Sequence, residues 1–103
     1  MESNFLLHGK LTAKPGRRDD LADILIQASQ LVSTAKGNKL YVIGTEENDA
    51  NSVYVTEIWV NKEDHSNSLK VEGVRELIMK AMPLLDGQPT KGQEIEILGG
   101  TGI

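Results

Sequence analysis

Nine consecutive residues, Ser52 to Val60, read SVYVTEIWV. In an extended chain successive side chains point to opposite sides. Val53, Val55, Glu57 and Trp59 therefore share one face, and Tyr54, Thr56, Ile58 and Val60 share the other. Both faces carry large apolar groups, which predicts a strand covered on both sides. With 103 residues, the chain has the length of one domain, 1–103, and a modest core. Helices are expected to cover one face of the sheet. The other is expected to pack against the sheet of a second copy, as a two-fold homodimer.

The flanking sequence supplies the partners of this strand. Residues Asn4 to Lys14 are extended in pattern and close on the turn signal Pro15-Gly16. From Arg17 to Ala35 the period changes: Leu21, Ile24, Leu25, Ala28, Leu31, Val32 and Ala35 form the stripe of an amphipathic helix. Asp19, Asp20 and Asp23 sit near its positive end, and Lys36-Gly37 marks its exit. Lys39 to Thr45 reads as a strand, joined to Ser52–Val60 by the polar tip 46–51. Asn61 opens a capped helix, Gly73 divides the helical region, and Pro83 and Gly87 close it. Gly92 to Leu98 alternates as a last strand, followed by the glycine-rich tail 99–103. The order β-α-β-β-α-β is the ferredoxin-like arrangement, an α+β fold on an antiparallel sheet.

Composition removes several functions. The absence of cysteine excludes disulfides, thiolate-ligated metal and thiol nucleophiles. A net charge of −4 argues against nucleic acid or an anionic membrane as partner. No segment approaches the roughly 20 apolar residues of a membrane span, and Met1-Glu2-Ser3-Asn4 lacks the basic start of a signal peptide. A cytoplasmic location is expected. His8 and His65 stand too far apart in sequence to form a metal site by spacing. Gly99-Gly100-Thr101-Gly102 follows a strand but precedes no helix, so it is no phosphate loop.

The element order, the opening strand and turn, and the run Glu57-Ile58-Trp59-Val60-Asn61-Lys62-Glu63-Asp64-His65 resemble the antibiotic biosynthesis monooxygenase family. The closing Ile97-Leu98-Gly99-Gly100-Thr101-Gly102-Ile103 is similar to the tails of its quinol-oxidising members. The resemblance covers nearly the whole chain. It implies a dimeric α+β barrel and a cofactor-independent monooxygenase, acting with dioxygen on a quinol or other small electron-rich aromatic. Heme-degrading members use an Asn, a Trp and a His where this chain carries Gly9, Ser68 and Ile78, so heme degradation is not implied. Histidines of quinol-oxidising members fall here on Ser68 and Gly73. The Asn and Tyr of the polyketide enzymes fall on Val55 and His65.

Such chemistry needs a base near neutrality, a donor for an oxyanion and an apolar wall. His65 is the candidate base, since histidine alone has an unperturbed pKa close to neutral. Trp59 can line a cavity and donate through its indole. Glu57, on the same face, either points into a polar cavity or is paired with Arg75 or a neighbouring strand. Tyr41 and Tyr54 can hold a substrate oxygen, while His8 faces either the cavity or the dimer interface. Asn61 reads first as a helix cap and second as a substrate contact. Each of these residues also has a purely structural reading, and a non-catalytic dimeric module that binds a small hydrophobic metabolite is the competing function. An enclosed cavity containing Trp59 together with His65, His8 or Tyr54 separates the two.

Overall fold

A computed structural model describes residues 4–88 and 91–102 of the chain. Four strands, β1 (Asn4–Thr12), β2 (Asn38–Gly44), β3 (Ser52–Trp59) and β4 (Gln93–Ile97), form one sheet in the order β2-β3-β1-β4. Every pairing is antiparallel. Helices α1 (Arg18–Leu31), α2 (Lys62–Ser68) and α3 (Val74–Ala81) complete the β-α-β-β-α-β order, with a short 3-10 turn at Met82–Leu84. This is the expected ferredoxin-like α+β fold. No helix among the described residues is long and apolar enough to cross a membrane.

The registers sort the side chains of the sheet into two faces. Tyr41, Glu57, Leu7 and Glu94 lie side by side across the four strands on one face. Leu40, Ile58, Leu6 and Ile95 form the matching row on the other. The first face carries the helices. There Leu21 of α1, Val53 of β3 and Ala81 of α3 bury against Ala13 and Leu85, while Val32, Trp59 and Val74 form a second cluster with Phe5 and Tyr41. Trp59 is wholly buried.

Two local differences from the sequence expectation have physical causes. The apolar stripe extends to Ala35, but α1 ends at Leu31. Val32, Ser33 and Thr34 are poor helix formers, and the chain leaves through successive turns, Ala35 N–H to Val32 O and Asn38 N–H to Ala35 O. Val32 and Ala35 still pack on Trp59. The exit needs Gly37, whose φ is +83° and whose Cβ position is occupied by the Asp64 carboxylate. The first strand ends at Thr12 rather than Lys14, because Ala13 bridges to Leu85 and turns the chain toward the helices.

Candidate active site

Glu57 sits in the middle of β3, one of the two strands hydrogen-bonded on both sides, and is 7% exposed. Its Oε1 accepts the Trp59 indole N–H at 3.0 Å and lies 3.7 Å from His65 Nε2. These partners replace Arg75, which is exposed on α3. Two residues apart on a strand is the spacing that puts Glu57 and Trp59 on one face. The turn after β3 then brings α2 back across it: Asn61 Oδ1 accepts the Asp64 N–H at 2.7 Å, the N-cap that its type and spacing predict. His65, one turn into α2, is thereby placed over Trp59, its ring edge-on at 5.9 Å, with Phe5 at 6.0 Å on another side.

Burial governs the protonation of this group. It pushes the Glu57 carboxyl up from 4.5 to about 7, partly opposed by the indole hydrogen bond, which favours the carboxylate. The same desolvation lowers the His65 imidazole, against an upward pull from Glu94, and Lys62 lowers it further. Lys62 and Glu94 themselves pair at 3.2 Å at the edge of the sheet. Burial thus disfavours the charged form of both groups, the carboxylate of Glu57 and the imidazolium of His65, whose facing atoms stand 3.7 Å apart, a little beyond hydrogen-bond distance.

A cavity of about 190 Å³ opens beside Glu57, lined by Leu7, Gly9, Lys10, Leu11, Leu25, Tyr41, Val55, Glu57 and Gly92. Gly9 and Gly92 meet at its floor: a Cβ on Gly9 would come no closer than 3.8 Å to the Gly92 Cα, so the missing side chain leaves open space. Tyr41 reaches this cavity because of one irregularity. Asn38 pairs with Trp59, but Leu40 pairs with Ile58, so an extra residue in β2 shifts the register by one. The shift sets Tyr41 opposite Glu57; without it Tyr41 would point to the far face. Burial first, and the nearby Glu57 second, push the Tyr41 phenol well above its ordinary 10. It remains a neutral hydroxyl, able to donate, over the whole working range of pH.

The sheet separates the remaining candidates. His8 lies on the opposite face, where its Nδ1 shares a 2.9 Å hydrogen bond with Thr56 Oγ1 and its ring stacks on Tyr54. The Tyr54 hydroxyl donates to Glu46 at 3.1 Å, away from the cavity. Trp59, His65, Glu57 and Tyr41 thus lie on one side of the sheet, and His8 and Tyr54 on the other; of these candidates only Tyr41 and Glu57 line the cavity, which does not contain the expected grouping of Trp59 with His65, His8 or Tyr54. Asn61 is exposed at the head of α2 with its amide oxygen engaged as the cap. Sequence reasoning did not single out Glu94 or Lys62. The alternation of residues 92–98 carried a signal for Glu94, since it places Glu94 and Glu96 on one face, but not which strand they pair beside.

A model of the antibiotic biosynthesis monooxygenase family matches residues 4–78. The chain belongs to that family. A crystal structure of a protein named for the antibiotic biosynthesis monooxygenases, from Chloroflexus aurantiacus J-10-fl, is 33% identical over 98% of this chain and 99% of its own, with a TM-score of 0.86. Proteins named likewise from Nitrosomonas europaea and Caulobacter crescentus CB15 are 12% and 10% identical, with TM-scores of 0.88 and 0.84. They cover 99% and 95% of this chain, and 97% and 92% of theirs is covered, which shows the shared fold alone. No curated protein matches the sequence. Within this antibiotic biosynthesis monooxygenase fold, the positions that depart from the heme-degrading pattern have local uses. Gly9 opens the cavity, the Ser68 hydroxyl donates to the His65 carbonyl at 2.5 Å, and Ile78 faces the space between α1 and α3.

Proposed function

We propose that this protein is a cofactor-independent monooxygenase that oxidises a quinol or another small electron-rich aromatic, with Glu57 as the base. The observation that carries this reading is a buried carboxyl, poised near neutrality, in the wall of an otherwise largely apolar cavity. A buried carboxylate costs stability unless it is well paired, and a site that maintains one beside open space has a use for its proton. The ring would lie against Leu7, Leu25 and Val55, with one hydroxyl toward Glu57 and another oxygen toward the Tyr41 hydroxyl.

In this scheme Glu57 takes a proton from the bound hydroquinone, with His65 as the group that receives it or returns it. The hydroquinone anion gives one electron to dioxygen, and the two radicals combine at a ring carbon to form a hydroperoxide. Loss of water, with the proton supplied by the Glu57–His65 pair, leaves a hydroxyquinone. One oxygen atom enters the ring and the other leaves as water, so hydroquinone plus dioxygen balances hydroxyquinone plus water. Tyr41 stabilises the oxyanion by donation, and Trp59 holds Glu57 in place through its indole. Desolvation in the cavity strengthens both contacts.

The active form in this reading is a cytoplasmic homodimer joined through the outer face of the sheet. Ile95, 43% exposed, completes an apolar row with Leu6, Ile58 and Leu40 on that face, and Val42, 51% exposed, lies in the neighbouring row with Thr56, His8 and Gln93. Such a face matches the apolar second layer that β3 calls for. Oxygen uptake by metal-free, flavin-free protein with a panel of reduced quinones, followed by mass analysis of the product, tests the reaction. Uptake above buffer with a gain of one oxygen atom is expected. No uptake, together with tight binding of an unmodified metabolite, favours the non-catalytic binding module instead.

A further inference from the structure

The Glu57 cavity has an apolar neighbour. Between α1 and α3 lies a second hollow of about 170 Å³, bounded only by apolar side chains, among them Ile24, Ala28, Leu77 and Ala81. Leu11 and Leu25 line both spaces, so these two leucines stand between them. Ile78 and Met82, at the far end, are 43% and 50% exposed and give the second hollow an apolar mouth. Close-packed interiors leave few voids larger than a water molecule. Both hollows open to the surface, and they leave apolar side chains of α1 and α3 without neighbours on that side.

Alone, a space of about 190 Å³ falls below the roughly 300–1,000 Å³ of typical small-molecule sites. The two together, about 190 and 170 Å³, reach that range. Their polarity is divided: Lys10, Tyr41 and Glu57 line the first, and no polar side chain lines the second. Resting on the reading that the aromatic ring binds beside Glu57, we propose that the substrate is an aromatic head with a hydrocarbon tail. The tail passes between Leu11 and Leu25 and fills the hollow between α1 and α3. Leucine rotamer changes are fast and local, so opening this passage needs no movement of the helices.

Binding of 1,4-benzoquinones carrying n-alkyl chains of increasing length tests the assignment, read by quenching of Trp59, the single tryptophan. Affinity should rise about three- to fourfold per buried methylene and level off once the hollow is filled. Ile78→Glu puts a charge at the mouth on an exposed position, and Ala28→Leu fills the hollow from within. Both should flatten the dependence on chain length. A chain-length dependence that is absent in the wild type, or unchanged in both variants, overturns the proposal. Oxygen uptake on unsubstituted hydroquinone reports separately on the redox reading. Uptake with a flat binding series removes the tail site alone, whereas a steep series that both variants abolish, without uptake, supports the tail site and removes only the oxidation.

Discussion

Replacing Glu57 by Gln should make the protein more stable at neutral pH and nearly inert as a catalyst. The amide keeps an oxygen for the Trp59 indole, bonded at 3.0 Å in the wild type, and keeps the volume of the side chain. What it removes is the cost of ionising a carboxyl that is 7% exposed. In the folded state that carboxyl is raised from 4.5 to about 7, so the native protein binds its proton more tightly than the unfolded chain does. The sign follows: wild-type stability falls as pH rises through the interval from 4.5 to about 7, and stays lowered above it. At 1.36 kcal/mol per pKa unit, the accumulated difference is about 3 kcal/mol. At pH 8 the lowered His65 and the raised Tyr41 are both neutral in either protein, so neither adds a charge to the comparison there. Urea unfolding of both proteins at pH 4, 6 and 8, at one fixed protein concentration, measures the gap directly. The two should coincide at the lowest pH, and Glu57→Gln should lead by about 3 kcal/mol, or roughly 10–20 °C in Tm, at the highest. Parallel curves across the whole range would refute the claim that Glu57 is held near neutrality by burial.

Other substitutions act on the cavity, the indole hydrogen bond, the α1 exit and the outer face of the sheet. Gly9→Ala should raise stability by about 0.5–1 kcal/mol, since glycine is costly inside a strand, while Gly9→Val should block the cavity and lower oxygen uptake at least tenfold; thermal unfolding and initial rates check the pair. Trp59→Phe removes the hydrogen bond that favours the Glu57 carboxylate, so the apparent pKa of the rate should move upward in a pH series. Gly37→Ala should destabilise by about 1–3 kcal/mol from the backbone alone, and further because its Cβ meets the Asp64 carboxylate; chemical denaturation reads the loss. Ile95→Lys, on the outer face of edge strand β4, should convert the proposed dimer to monomer in sedimentation velocity, with the helix-side cavity unaltered.

The fold was legible because its signals are local. The α1 stripe, the Asn61 cap, the Gly73 break and the two-sided pattern of β3 each depend on residues close in sequence. Even the separation of Tyr54 from Trp59 was readable, as they sit at even and odd positions of one strand. The site depends instead on how distant segments meet. Tyr41 joins Glu57 only through the register shift between Asn38 and Leu40, and no residue type at 38–40 announces that shift. His65 is named as a base by its residue type, but its place over Trp59 comes only from the packing of α2. Glu57 was recognisable as an expensive mid-strand carboxyl, but its partners, Trp59 and His65, follow from docking of α2 rather than from spacing. The open space at Gly9, and the close approach of Gly92 to β1, depend on β1 being flanked by β3 and β4, a pairing the alternation of either strand leaves free.

In the proposed reaction a buried carboxyl beside an apolar cavity removes a proton from an aromatic substrate that dioxygen then oxidises. The pH dependence of kcat/KM for oxygen uptake, in metal-free and flavin-free protein with a hydroquinone, tests it most directly. The rate should rise with deprotonation of a group near pH 7, and Glu57→Gln should lose roughly 10² or more with no such rise. A Glu57→Gln protein that keeps the wild-type rate and the wild-type pH profile would contradict it.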